Sequence, residues 1–156
     1  MDNTVQRKNF KDIEVGGRSF RLNKLDARTG SYMLFKLTKI LTPILKNVKA
    51  DSLKDFDIDK INLTELAGSL FDLPEEEFRY IQDNCLQRVE ETLPSGGAQV
   101  LNKYGEFEVS DIEFDTALVM NLTIQSLVFN VSGFFEDSPL ASMLKGLNIS
   151  QQNSAT

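Results

Sequence analysis

Between Phe114 and Phe135, apolar side chains recur on two sides of a single helical pattern. One row runs through Phe114, Leu118, Leu122, Phe129 and Phe135, and a second through Ala117, Met120, Ile124, Leu127, Val131 and Phe134. A helix with one apolar stripe can lie on the surface of a domain. One that is apolar on more than one side is either central to its own domain or shared with a partner. Asn121, Thr123, Gln125, Ser126, Asn130 and Ser132 interrupt the rows, which makes the stretch too polar for an ordinary membrane span. Ser110 and Glu113 have the spacing of a capping box, so the pattern predicts a helix from about Asp111 to Phe135.

The rest of the chain supplies elements that could cover it. In DIEVGGRSFRLNKL, Ile13, Val15, Phe20 and Leu22 alternate with polar residues around Gly16-Gly17, the signature of a two-residue hairpin. An isolated hairpin is marginal in water and has to lie on helices or on a neighbouring sheet edge. Asp26 is a good N-cap for a helix from Ala27 to about Lys49. Met33, Leu34, Leu37, Ile40, Leu41, Ile44, Leu45 and Val48 form its stripe, with Lys36, Lys39, Lys46 and Lys49 off it. Pro43 inside this helix predicts a kink or break near Leu41–Thr42.

Residues 51–62 read as an acidic connector, and 62–71 as a short helix. Asp55, Asp57 and Asp59 open like a calcium loop, but Lys60 stands where the required Gly would be and Leu66 where the final Glu would be. No metal or cofactor site is expected. From Pro74 a helix is predicted to Leu93, its stripe formed by Phe78, Ile81, Cys85, Val89 and Leu93. Residues 99–109 read as a second small hairpin or an extended loop around Lys103-Tyr104-Gly105.

Composition narrows the chemistry. The 156 residues predict one domain, placed at 1–147 with a flexible polar tail at 148–156. There is no His and a single Cys, which removes His-based triads, intrachain disulfides and Cys-rich zinc sites. Cys85 lies on an apolar stripe and reads as a core residue. An enzyme is the least expected class. The N-terminus has no apolar core of a signal peptide, and a chain of net charge −6 is a poor nucleic-acid binder.

That charge is split. Residues 1–50 carry 11 Lys and Arg against 4 Asp and Glu, while residues 51–156 carry 6 against 19. Two arrangements follow: the basic third packs on the acidic remainder of its own chain, or it steers protomers or a charged partner together.

Three passages resemble tail assembly chaperones of long-tailed bacteriophages, encoded between the tail tube and tape measure proteins. They are IEVGGRSFRLNKLDARTGSYMLFKLTKILTPIL, AQVLNKYGEFEVSDIEF and SLVFNVSGFFEDSPL, covering residues 13–45 and 98–140. The resemblance implies a small, mostly α-helical protein that self-associates, covers the tape measure protein, recruits tail tube subunits and leaves before the tail matures. Many such proteins also have a frameshifted longer form. The resemblance brings no catalytic residues.

The expected fold is therefore mainly α: a compact helical domain with an N-terminal β-hairpin and a second short hairpin as a candidate near 99–109. The expected function is a non-enzymatic chaperone in the host cytoplasm, absent from the mature virion. Its partners are the tape measure protein, the tail tube protein and further copies of itself, with no nucleic acid and no membrane. The alternative is a tail completion or baseplate protein retained in the virion. Phe129, Phe134, Phe135, Leu140, Met143 and Leu144 form a dense apolar group beside the C-terminal tail. They are the candidate partner-binding residues, with core closure as the competing role.

Overall fold

The computed structural model describes residues 9–46, 68 and 70–136, with side-chain burial for 9–36, 68 and 70–131. The candidate residues Leu140, Met143 and Leu144, the acidic connector and the 148–156 tail lie outside this range. Strand β1 (Phe10–Val15) turns through Gly16 and Gly17 into β2 (Arg18–Asn23). Both glycines have positive φ, 59° and 77°, as the two central positions of a type I′ turn require. The turn sets the register, with Ile13 opposite Phe20 and Lys11 opposite Leu22.

Helix α1 (Ala27–Lys46) follows. The Asp26 carboxylate accepts from the Thr29 amide at 3.0 Å, and its carbonyl accepts from Gly30, capping the first turn. The helix is not broken at Pro43. Helical residues end at Phe71, and Pro74 leads into α2 (Glu75–Leu86), whose first turn carries Glu75, Glu76 and Glu77, where acids suit the macrodipole.

The fold is not mainly α. Strands β3 (Val89–Leu93) and β4 (Gly96–Gln99) complete a four-stranded antiparallel sheet of order β1-β2-β3-β4, so helices and sheet share the structure. The predicted helix from Pro74 to Leu93 is thus corrected to a helix and a strand. Cys85, Val89 and Leu93 are four apart, a spacing that fits one helix face and one strand face equally. Local and tertiary bonds decide between them. The amides of Gln87 and Arg88 bond back to Asp83 and Cys85 and close the helix, and Val89 pairs opposite Leu22.

The second hairpin is likewise displaced. It turns at Pro94-Ser95 between β3 and β4, while the 99–109 stretch forms only an isolated bridge, Leu101 to Phe107. The Ser110–Glu113 capping box does not open the last helix either. Residues Ile112–Phe114 form a 3-10 turn, and α3 (Thr116–Glu136) starts beyond it. Its cap is Asp115, whose carboxylate accepts from the Leu118 amide at 3.0 Å.

Opposing residues place Ile13, Phe20, Leu22, Val89 and Glu91 on one sheet face, and Asp12, Arg21, Glu90 and Thr92 on the other. The first face is covered by α3: Phe20, Leu22, Leu86, Val89, Val100, Leu101, Ile112, Leu118 and Leu122 form one buried cluster. A second cluster joins Met33 of α1, Leu70, Ile81 and Cys85 of α2, and Leu127, Val128 and Val131 of α3. Phe114, the head of the first expected row, lies in the 3-10 turn and is 85% exposed, and Ala117 is exposed as well; the buried members of the rows divide between sheet and helices. Leu118, Leu122 and Phe129 turn to the sheet cluster, and Ile124, Leu127 and Val131 to the helical one.

Glu91 is an acid on the apolar sheet face, 6% exposed. Arg18, on the same face, donates to it through Nε at 3.0 Å and Nη2 at 2.6 Å, and reaches Asp111 through Nη1 at 2.8 Å. This fork ties β2 to β3 and to the turn before α3. It also holds the Asp111 carboxyl below its ordinary 3.8, so that contribution is present above pH 4 and fades as pH falls through the lowered value. Arg18→Ala leaves Glu91 without its counter-charge, and urea unfolding should show a loss of about 2–3 kcal/mol. Asp111→Asn, at an exposed carboxylate, should cost much less in the same assay.

Candidate partner-binding surface

Three of the polar residues that interrupt α3, Thr123, Ser126 and Asn130, are buried and paired, while Asn121 is exposed and accepts from the half-buried Gln125. Asn130 accepts from the Leu25 amide through Oδ1 at 2.8 Å and donates through Nδ2 to the Ser126 carbonyl at 2.9 Å. Ser126 donates to the Cys85 carbonyl at 3.4 Å, and the Thr123 hydroxyl donates to the Val119 carbonyl at 2.7 Å. Gln82 of α2 donates to Thr123 at 3.5 Å. Among the described residues, no buried side-chain nitrogen or oxygen lacks a partner. These groups fix α3 against the β2–α1 connection and against α2, and none is aimed at an open site.

Cys85 is fully buried beside Ser126. Burial pushes its thiol from 9.0 up to about 12, and the Ser126 hydroxyl offsets part of that rise. A neutral, enclosed thiol is neither a nucleophile nor a metal ligand at neutral pH. Among the described residues, no group of His, Cys, Asp and Glu could hold a metal ion, and no helix is long and apolar enough to cross a membrane.

Of the six candidate partner residues, the structure describes the surroundings of one. Phe129 is half-buried and packs against the sheet cluster. Phe134 and Phe135 lie in the last turns of α3.

The described surface offers a second apolar region that the stripe pattern missed. Tyr32 and Phe35 of α1 and Tyr80 of α2 are exposed, Phe35 by 80%. The Tyr32 and Tyr80 rings meet edge-to-face with centroids 4.9 Å apart. They rim a cleft floored by Met33, Leu73 and Ile81 and flanked by Lys36 and Glu77, which pair at 3.2 Å. The available signal was aromatic residues lying off the apolar stripes of both helices. Aromatic side chains in such positions supply large contact area with a polar rim, the chemistry of partner surfaces.

The split charge is partly spent within the chain. Arg18–Glu91, Arg18–Asp111 and Lys36–Glu77 join the basic third to the acidic remainder. Arg21 instead pairs with Asp12 on the solvated sheet face, where its guanidinium lies 4.0 Å from the centre of the Phe10 ring.

A family profile described as phage tail assembly chaperone protein, TAC, matches residues 16–144. The match begins in the β1–β2 turn and passes the end of α3, and the chain belongs to this family of tail assembly chaperones. No curated protein and no solved structure matches significantly. Membership supports a chaperone role in phage tail assembly and interaction with tail proteins.

The burial of Cys85 has a direct readout. In the native protein at pH 8 the thiol should not react with Ellman's reagent, and labelling should appear only under denaturing conditions. Because the folded thiol keeps its proton between pH 9.0 and about 12, stability should fall as pH rises above 9. Rapid labelling of folded protein would contradict this packing.

Proposed function

We propose that this chaperone binds the tape measure protein, helps recruit tail tube subunits, and leaves before the tail matures. It acts in the host cytoplasm without a catalytic step. The family match over residues 16–144 is the observation that carries the reading. A long partner with exposed apolar helical stripes needs a cover until it is enclosed, and a cover needs apolar surface and reversible contact.

Contact with the tape measure is assigned to Phe134, Phe135, Leu140, Met143 and Leu144, and to the part of Phe129 that its packing on the sheet cluster leaves exposed. What supports this is the economy of α3. Leu118, Leu122, Leu127, Val128 and Val131 are already buried in its own two clusters, which directs a search for partner contacts on this helix to its end and beyond. Co-expression with the tape measure gene product, followed by pull-down, tests the assignment. Leu144→Asp and Phe135→Ala should abolish capture with melting temperatures close to the parent. Early melting would instead mark core residues, which usually cost about 3–5 kcal/mol for Phe→Ala. Mass spectrometry of purified particles should find the protein missing, and its presence in structural amounts would make it a permanent tail component.

The chaperone also self-associates, with basic surface from Lys11–Lys49 facing acidic surface from Asp51–Glu91. Charge steering is screened above roughly 0.1 M salt, so light scattering should show oligomers that weaken as salt rises. A monomer at low salt and high concentration refutes this contact.

A further inference from the structure

We propose that the cleft between Tyr32 and Tyr80 receives Phe35 of a second copy, in a two-fold contact where each chain's Phe35 enters the other's cleft. This rests on the proposed self-association and deepens it, by naming where the basic and acidic surfaces meet.

The ring and the cleft lie on the same outer side of the helices. Met33 is buried, and Phe35 follows it by two positions, about 200° round a helix. Phe35 therefore points away from the core, and it is 80% exposed. The cleft opens between α1 and α2 over Met33, Leu73 and Ile81, with Tyr32, Tyr80, Lys36 and Glu77 around it. Phe35 is no part of that lining, so within one chain the ring does not fill the cleft. The Tyr32 and Tyr80 rings already meet edge-to-face at 4.9 Å. A third ring set against them extends an arrangement that aromatic side chains favour.

Symmetry fits the pair. A two-fold interface uses one patch on both subunits, so a projecting group has to lie close to the recess that receives its copy. Phe35 stands one turn from Tyr32 and next to Lys36, both residues of the cleft. Ring and recess therefore share one patch, and the contact forms twice.

Charge selects a second copy as the occupant. Helix α1 carries Arg28, Lys36, Lys39 and Lys46 and no acid, while α2 carries Glu75, Glu76, Glu77 and Asp83 against Arg79. Arg28 is exposed two turns before Phe35. On α2, exposed Glu76 and Asp83 flank Tyr80 at i−4 and i+3, the spacing of neighbours on one helix face. Seating Phe35 in the cleft of another copy brings a basic helix to an acidic one, in both halves of the contact. An apolar knob with an acidic surround would be repelled from the same cleft.

Sedimentation velocity of the full chain at low salt tests the contact. Phe35→Ala should raise the dimer dissociation constant about tenfold or more, because one substitution removes two central aromatic anchors. The melting temperature of the single chain should not change, since the ring is exposed there. In a second measurement Phe35 is replaced by the photo-crosslinker p-benzoylphenylalanine. Irradiation should give an adduct at dimer mass that peptide mapping places within 72–84. An adduct mapped elsewhere, an adduct at monomer mass, or none at all overturns the proposal. Early melting of Phe35→Ala would place the ring in the chain's own packing and overturns it too. A dimer that weakens with salt but ignores Phe35→Ala leaves self-association standing and overturns only this contact. A monomer at low salt overturns both, and loss of tape measure capture by Phe35→Ala in such a monomer would assign the ring to that protein.

Discussion

A helix that is apolar on two sides cannot be left facing water on either, and α3 meets this constraint by lying between a sheet and two helices. Leu118, Leu122 and Phe129 face the sheet cluster while Ile124, Leu127 and Val131 face the helical one. Apolar contact alone would let such a helix rotate or slide. Thr123, Ser126 and Asn130 remove that freedom, because a buried polar group without its partner is costly. Asn130 meets its bond only with the Leu25 amide at hand, and Ser126 with the Cys85 carbonyl. These three buried interruptions are the contacts that fix the helix in position.

The Arg18 fork applies the same logic to the sheet. Glu91 is tolerated on an apolar face because a guanidinium reaches it with two donors and still touches Asp111. A slip of β3 by one residue would carry Glu91 to the solvated face and break the fork. The charge contrast between the two parts of the sequence is thus used in part for internal registration, alongside the association proposed for the protomers.

What the sequence made legible followed the uniqueness of each local signal. Gly16-Gly17 between alternating residues admits few structures, and the β1–β2 hairpin forms there. The double row of α3 announced a helix covered twice. The mainly α expectation failed where two periodicities coincide, because Cys85, Val89 and Leu93 suit a helix and a strand alike. Only pairing with β2, far away in sequence, selects the strand. Ser110 and Glu113 had the spacing of a cap, yet Asp115 lies nearer the first helical turn and takes the role. The aromatic surface escaped a search for stripes because Tyr32, Phe35 and Tyr80 lie off the stripes. The C-terminal apolar group rests on density in the sequence alone, and density of apolar residues does not distinguish a core from a docking face.

The pairing of β2 with β3 has a consequence for synthesis. Arg21 lies opposite Glu90, so the sheet closes across α1 and α2, a long loop whose ordering precedes any gain from the pairing. While the chain emerges from the ribosome, the β1–β2 hairpin can form early, but Phe20 and Leu22 wait uncovered until β3 and then α3 are made. During that interval the hairpin's apolar face is open to other nascent chains. A tail assembly chaperone is, while being made, itself in need of shielding.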